Sequence, residues 1–407
     1  MSQKYFKLFN YVRFLGNENS GCIYNTLNGD MIAINSDFSN FIGKSFKNIP
    51  INDEDKDLVN DLIKENIGCL YDKPVFIEEP RAGAGNQFKD YLRKRVYLKN
   101  LYFQMSNECN LNCVYCNEDT YVIRPTSCKK WSNKSIEIDN LTLIEMFKGA
   151  KKLGCENVHL IGGEPFLDKN RLFNILKLLN YIEFNNIYIY TNLTVLDNEI
   201  IEEIRDKKIT LVIEMPSLDQ IIYSSITKSN YQVSDILSML QVLNKLKIYV
   251  VAHYSISKYN ENEISRDVSE LKRLFDDVII DFIYPIKNDH YSMLYEKQMY
   301  QRRFPKVTTE LITILEDYNS DLYGKLNLSL SGVFTPCPMI CQIEVGNIFS
   351  SRVEDVLKSK KYMELIRMSR SKLPKCSKCN FRLNCPDIRS IEYSASGKID
   401  GVEFCNE

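Results

Sequence analysis

Short apolar runs alternate along the middle of the chain with longer stretches in which apolar residues return every three or four positions. The runs at 102–105, 157–161, 187–190, 210–214, 248–254 and 278–284 are bounded by polar and turn residues, and they predict buried strands. Between them, Leu143, Met146, Phe147, Ala150 and Leu153 share one helical face that Gly154 closes. Ile236, Leu237, Leu240, Leu243 and Leu246 form another such face. Six strands separated by helices predict an α/β fold with a parallel sheet, and ligands in such folds gather at the carboxyl ends of the strands.

The flanks read differently. In residues 1–80 the pair Asn28-Gly29 predicts a hairpin turn, followed by helices at 36–42 and 54–65 and a strand at 71–77. A hairpin with short helices suggests a small winged-helix-like domain. The Pro/Gly-rich stretch 79–86 opens a linker over 81–100. Residues 291–335 read as a helical bridge, and 336–407 hold a dense group of cysteines.

Composition narrows the class. The chain has 407 residues, 44% of them apolar, and a net charge of −1 from 52 basic and 53 acidic residues spread along it. That balance offers no nucleic-acid face. No apolar run is long enough to span a membrane, and the first residues lack the apolar core of a signal peptide. A cytoplasmic, reducing setting is the expectation. The thirteen cysteines then read as metal ligands before they read as disulfides.

Two motifs carry chemistry. Cys109, Cys113 and Cys116 are spaced C-x3-C-x2-C. Three thiolates in one loop can hold three irons of a 4Fe–4S cube and leave the fourth open. A zinc site completed by a distant ligand is the alternative, although zinc favours paired C-x2-C units. Ile161-Gly-Gly-Glu-Pro-Phe166 follows a predicted strand. Its glycines admit close approach of a ligand to the backbone, and its carboxylate can accept from an ammonium. A plain turn after a strand is the bland reading of that motif alone.

Together these residues resemble the radical S-adenosylmethionine (SAM) enzymes over residues 100–290, which implies a partial (β/α)6 barrel. By that resemblance Cys109, Cys113 and Cys116 bind the cluster and its open iron chelates SAM. Tyr115 lies near the adenine, and Gly162, Gly163, Glu164 and Pro165 form the turn that holds the SAM ammonium. Reduction of SAM then yields a 5′-deoxyadenosyl radical. Thr191-Asn192 resembles a further strand end of the family, with Leu193 where glycine is usual. Ser217-Leu-Asp219 resembles its Ser-Leu-Asp-Gly segment, with Gln220 in place of glycine. Ser217 is there implied as a SAM contact, while helix capping by Ser217 and Asp219 is an equal alternative.

Cys376, Cys379, Cys385 and Cys405 on their own suit zinc or a 4Fe–4S cluster. Behind a radical SAM core they resemble the outer auxiliary cluster of the SPASM extension. The pattern is broken at Arg389 and Ser351, where cysteines are expected. That leaves Cys337 and Cys341 for an inner cluster, or as ordinary buried thiols. Cys22, Cys69, Cys128 and Cys155 read as core or loop thiols.

The resemblance extends to peptide maturases, whose front domain binds a precursor's leader as an added strand. It implies hydrogen abstraction from a ribosomally made peptide and closure of a thioether or carbon–carbon crosslink. The implied partners are that precursor peptide and an electron donor such as flavodoxin or ferredoxin, with no nucleic acid and no membrane. A sulfatase-maturing enzyme and a non-catalytic iron–sulfur peptide-binding protein are the alternatives. His159, His253, Asp281 and Tyr284 fall on predicted strands and read first as packed residues with satisfied polar tips. No general acid or base is assigned.

Overall fold

The computed structural model describes residues 3–77, 96–116, 121–122, 135–205, 207–285, 306–385, 387–402 and 405. At the N-terminus, β1 (Tyr5–Leu8) is followed by the meander β2 (Val12–Gly16), β3 (Gly21–Asn25) and β4 (Asp30–Ile34). Gly29, at φ +77°, makes the turn into β4, with its N–H on Asn25 O at 2.8 Å. Asn35 caps helix Ser36–Phe46, and helix Lys56–Lys64 leads into β5 (Gly68–Tyr71), which pairs antiparallel with β1. Phe6, Val12, Ile23, Phe41, Ile42 and Leu62 share the core of this unit.

The expected strand at 71–77 is therefore displaced. The strand ends at Tyr71, because pairing is set by β1 and not by the apolar residues that follow. The stretch expected as a linker has residues 78–95 outside the described residues, and a strand already begins at Asn100.

The centre is a parallel sheet. β6 (Asn100–Gln104) is followed by the short β7 (Tyr121–Val122), then β8 (Asn157–Ile161), β9 (Asn186–Thr191), β10 (Ile209–Glu214), β11 (Tyr249–Ile256) and β12 (Asp277–Phe282). All but β7 lie side by side in sequence order, parallel, with helices Asn140–Lys152, Lys169–Tyr181, Asn198–Ile204, Val233–Lys245 and Ile264–Leu274 on one face. β13 (Tyr284–Pro285) pairs with β7. Leu101, Phe103, Val158, Leu160, Ile189 and Leu211 face the helices, and Tyr102, Ile161, Tyr190, Val212 and Val251 face inward. Both faces are covered, which is why these strands read as unbroken apolar runs.

His159 sits inside, stacked between Tyr102 and Tyr188 at 4.5 and 4.8 Å between ring centroids. Its nitrogens meet Tyr190 Oη at 3.0 Å and Asn100 Oδ1 at 3.1 Å. Burial, aided by Lys325, pushes its pKa down to about 3. It is a satisfied core histidine.

Of the expected helical bridge 291–335, residues 291–305 lie outside the described residues, Thr309–Asp317 is helical, and β14 (Lys325–Leu328) then joins the sheet parallel to β6. β15 (Val333–Thr335) and β16 (Gly346–Asn347) extend it antiparallel. Leu326 and Leu328 are fully buried, so this short run reads as a strand once β6 is beside it. Helices Val353–Lys358, Lys360–Ile366 and Arg389–Ser396 complete the C-terminal part. The N-terminal unit packs on that part: Cys22 and Tyr24 share a core with Val307, Ile312 and Leu383, and Tyr24 Oη donates to Asn380 O. Among the described residues no helix is long and apolar enough to cross a membrane.

Candidate active site

The chain leaves β6 toward the three cysteines, and β8 leaves toward the Gly-Gly-Glu-Pro turn beside it. Two backbone bonds join them: Met105 N–H to Ile161 O, and Glu164 N–H to Glu108 O, both 2.7 Å. Gly162 and Gly163 take φ of +104° and +33°. A Cβ on Gly163 would lie 2.0 Å from Glu108 O, so only glycine lets the turn reach the cysteine loop.

Glu164 is fully buried. Its carboxylate accepts from Phe166 N–H at 3.0 Å, Asn192 N–H at 2.7 Å and the Thr191 hydroxyl at 2.8 and 2.9 Å. Burial raises its pKa to about 7, against the lowering effect of those donors. A carboxylate offers about four acceptor positions, so three donors leave room for one more. That is the donor–acceptor balance an ammonium ligand needs.

The end of β9 holds the cysteine loop from the other side. Asn192 Nδ2 stands 3.7 Å from Cys109 Sγ and donates to Asn110 Oδ1 at 3.1 Å. Leu193 has φ +63°, the left-handed conformation that the family's usual glycine would take without strain. Asn112 N–H and Val114 N–H donate to Thr227 O and Ile226 O at 3.1 and 2.9 Å, pinning the loop to helix Gln220–Thr227. Tyr115 is buried against Ile226 and Ile283, and its hydroxyl donates to Glu214 Oε1 at 2.9 Å. Burial, with Cys116, Glu214 and Cys109 nearby, pushes the Cys113 thiol well up. Among the described residues no three His, Cys, Asp or Glu side chains close around a single ion. A tetrahedral zinc would hold its thiolates about 2.3 Å from one centre, whereas a cube spreads three thiolates over three irons.

Ser217 is not presented to this site. Its hydroxyl donates to the buried Asp267 Oδ2 at 2.9 Å, which also takes Leu218 N–H at 3.2 Å. Asp219 caps the following helix through Ile221 N–H and Ile222 N–H. The capping alternative describes Asp219, and Ser217 is tied to helix Ile264–Leu274.

A polar cluster escaped the sequence reading. At the inward ends of β10, β11 and β12, His253 Nδ1 lies 2.6 Å from Glu214 Oε2, and its Nε2 lies 3.4 Å from Asp281 Oδ2. Ser255 Oγ donates to Glu214 Oε1 at 2.7 Å. All four side chains are buried. Burial pushes the His253 pKa down, but Glu214 and Asp281 more than offset it and raise it to about 10. The signal was the pairing Glu214 with His253 and Ser255 with Asp281 across strands, visible only once the register is known.

The second cysteine group lies beyond the sheet. Cys376, Cys379, Cys385 and Cys405 are all half-buried. Burial pushes the Cys376 thiol up, Arg370 and Arg389 pull it down, and Asp387 and Cys405 push it up again. Cys337 is buried, its thiol pushed up to about 12 by burial and then by Asp321. Cys341 is half-buried, Cys22 and Cys155 are core thiols, Cys69 is half-buried, and Cys128 falls outside the described residues.

A parallel half-barrel whose first strand opens into three spaced cysteines, braced by a buried Gly-Gly-Glu-Pro turn, defines a radical SAM site. The chain matches the radical SAM superfamily over residues 103–271 and the iron–sulfur cluster-binding SPASM domain over residues 321–380. It is 32% identical over 129 residues to a probable GTP 3′,8-cyclase of Archaeoglobus fulgidus, 31% of this chain and 39% of that protein. It is 23% identical over 178 residues to an uncharacterized protein of Methanocaldococcus jannaschii, 44% of this chain and 54% of that one. The chain thus spans about half or less of these curated relatives. Its fold resembles that of Streptococcus suis SuiB bound to S-adenosylmethionine, with a TM-score of 0.56 and 15% identity over 99% of this chain and 100% of that one. It also resembles anSMEcpe with bound AdoMet, with a TM-score of 0.56 and 16% identity over 75% of this chain and 93% of that one. The chain carries a radical SAM superfamily domain and, behind it, an iron–sulfur cluster-binding SPASM domain. Those two domains imply a SAM-binding 4Fe–4S cluster, SAM itself and auxiliary iron–sulfur.

Proposed function

We propose that this enzyme matures a ribosomally made precursor peptide, closing a thioether or carbon–carbon crosslink in it. The observation that carries this reading is the N-terminal unit. β4 stands at the edge of its sheet, next to a cleft of about 330 Å³ lined by Ile23, Ile32, Ile34, Phe38, Leu62 and Ile67. An extended leader can add to such an edge by main-chain bonds and place alternate side chains in the cleft. SuiB, similar in fold, has been solved with its precursor peptide SuiA.

In the barrel, Cys109, Cys113 and Cys116 would hold the catalytic cluster, with Asn192 orienting Cys109. Glu164 would use its remaining acceptor position for the SAM ammonium, beside the Gly162-Gly163 backbone and Pro165. Tyr115 closes the loop against the barrel through Glu214. The cluster and SAM, when bound, supply the 5′-deoxyadenosyl radical that removes a peptide hydrogen. Cys376, Cys379, Cys385 and Cys405 would hold an auxiliary cluster, and a flavodoxin or ferredoxin would be the electron donor.

The anaerobically reconstituted enzyme, given SAM, dithionite and the precursor, should release 5′-deoxyadenosine and give a peptide two hydrogens lighter. The same precursor without its leader should react far more slowly. Turnover of a sulfatase peptide instead, indifferent to the leader, would replace this reading with sulfatase maturation. No 5′-deoxyadenosine from SAM under any of these conditions would remove it.

A further inference from the structure

Arg389 stands where the SPASM resemblance would place a cysteine, and its side chain is engaged by the surrounding backbone. Its guanidinium is 3% exposed. Nη1 donates to Ile399 O at 3.0 Å and to Gly401 O at 2.7 Å, gripping the strand of chain that carries Cys405. Arg370, 7% exposed, donates through Nη1 to the carbonyl of Cys385. Between the two lies Asp387: Oδ2 is 3.5 Å from Arg370 Nε and takes Asn319 Nδ2 at 3.1 Å, and Oδ1 is 3.5 Å from Arg389 Nε. That last approach makes no hydrogen bond, and among the described residues neither atom has another partner. Two buried cations thus face one buried carboxylate, and one of them holds the Cys385 carbonyl.

We propose that Arg370 and Arg389 are positioning residues for an auxiliary cluster on Cys376, Cys379, Cys385 and Cys405, fixing the backbone that presents Cys385 and Cys405 and raising the cluster's reduction potential. The proposal rests on reading those four cysteines as cluster ligands. A cluster on four thiolates is anionic, and each added electron makes it more so. Its potential follows net charge, hydrogen bonding and exposure. Guanidiniums held out of water act on it at low dielectric and are weakly screened. The substitution of arginine for cysteine therefore removes a ligand and supplies a fixed charge and a clamp in its place. A raised potential suits a centre that takes up electrons.

The test uses the full chain with Cys109→Ala, Cys113→Ala and Cys116→Ala, reconstituted anaerobically, so that only auxiliary iron remains. About four irons per chain with a 4Fe–4S signal in EPR and Mössbauer spectra supports the ligand reading, and no cluster overturns that reading itself. In this background Arg389→Gln and Arg370→Gln should each lower the midpoint potential by about tenfold in the reduction equilibrium, about 59 mV for one electron. Release of iron to a chelator should rise about tenfold with loss of each charged hydrogen bond. Arg389→Lys keeps the charge but not the two-carbonyl grip. It should hold the parental midpoint and still release iron faster. If a glutamine variant fails to fold, the lysine variant's release rate decides. Clusters that assemble in all three variants with parental midpoint and release rate overturn the proposal.

Discussion

Replacing Gly163 with alanine sets a methyl group against the backbone that leads into the cysteine loop. The new Cβ would lie 2.0 Å from Glu108 O, 2.8 Å from Glu108 C and 3.1 Å from Asn107 C. No rotamer relieves a contact with backbone, so the turn must retreat and stretch the 2.7 Å bond from Glu164 N–H to Glu108 O. A non-glycine residue at φ +33° adds about 1–2 kcal/mol of strain. A buried amide without its partner costs about 1–3 kcal/mol, and forcing packed backbone apart about 1–3 kcal/mol. The sum, about 3–8 kcal/mol, is a large share of the roughly 5–15 kcal/mol that holds a domain folded. The apoprotein should melt roughly 5–10 °C lower. SAM affinity, by calorimetry on reconstituted protein, should fall at least about tenfold, because Glu164 is carried on the displaced turn. Gly149→Ala is the control. It lies in helix Asn140–Lys152, where an added Cβ meets nothing closer than 3.8 Å, and should be neutral or stabilising by about 0.5–1 kcal/mol. Wild-type melting and SAM binding in Gly163→Ala would refute the close approach of turn and loop.

Other perturbations separate the remaining interactions. Thr191→Val removes the hydroxyl shared by both Glu164 oxygens and should weaken SAM binding about tenfold while leaving the iron content intact, as iron assay and calorimetry would show. Leu193→Gly relieves about 1–2 kcal/mol of left-handed strain but empties a side chain that is 2% exposed, a loss of about 2–5 kcal/mol. Burial wins, so urea unfolding should show net destabilisation, and a more stable variant would contradict the packing. His253 has its pKa raised from 6.5 to about 10 despite burial, by Glu214 and Asp281. Its stabilising contribution is complete below about pH 6.5 and is lost as pH rises through about 10. Apoprotein stability should fall with a slope of about 1.4 kcal/mol per pH unit across that window. His253→Ala should flatten this slope, and identical slopes in both proteins would exclude an ionised His253.

Much of the barrel was legible because a buried parallel strand must be apolar on both faces. β8 falls where its run predicted, and β9, β10, β11 and β12 differ from theirs only at the ends. β14 was hidden for the opposite reason. Lys325-Leu-Asn-Leu328 is short and half polar, and only pairing with β6 makes it a strand. The three thiols were grouped by their spacing, while Glu164 entered by resemblance, and a backbone bond sets its turn beside the cysteine loop. Ser217 was not, because its partner, Asp267, comes from a helix whose position no local pattern fixes. The Glu214–His253–Asp281 cluster was hidden in the same way: a lone histidine on a strand looks like a packed one until the neighbouring strands are set in register.

The departures from the family pattern fall into two physical kinds. Those near the first site replace glycines, and the backbone absorbs them. Leu193 adopts φ +63° itself, and Gln220 ties its helix to the next by accepting Val233 N–H at 2.8 Å and donating to Tyr231 O at 3.1 Å. The carbonyls that helix offers to the cysteine loop, Ile226 O and Thr227 O, stay in place. Those in the second site replace thiols, and no backbone adjustment supplies a missing ligand. Arg389 grips carbonyls, and Ser351 closes a turn onto Asn347 O at 2.8 Å. Only Cys337 and Cys341 then remain for an inner cluster, two thiols short of four. Anaerobically reconstituted protein should therefore carry about eight irons, two cubes. About twelve, with the excess lost in Cys337→Ala, would show that an inner cluster forms there despite the two replaced cysteines.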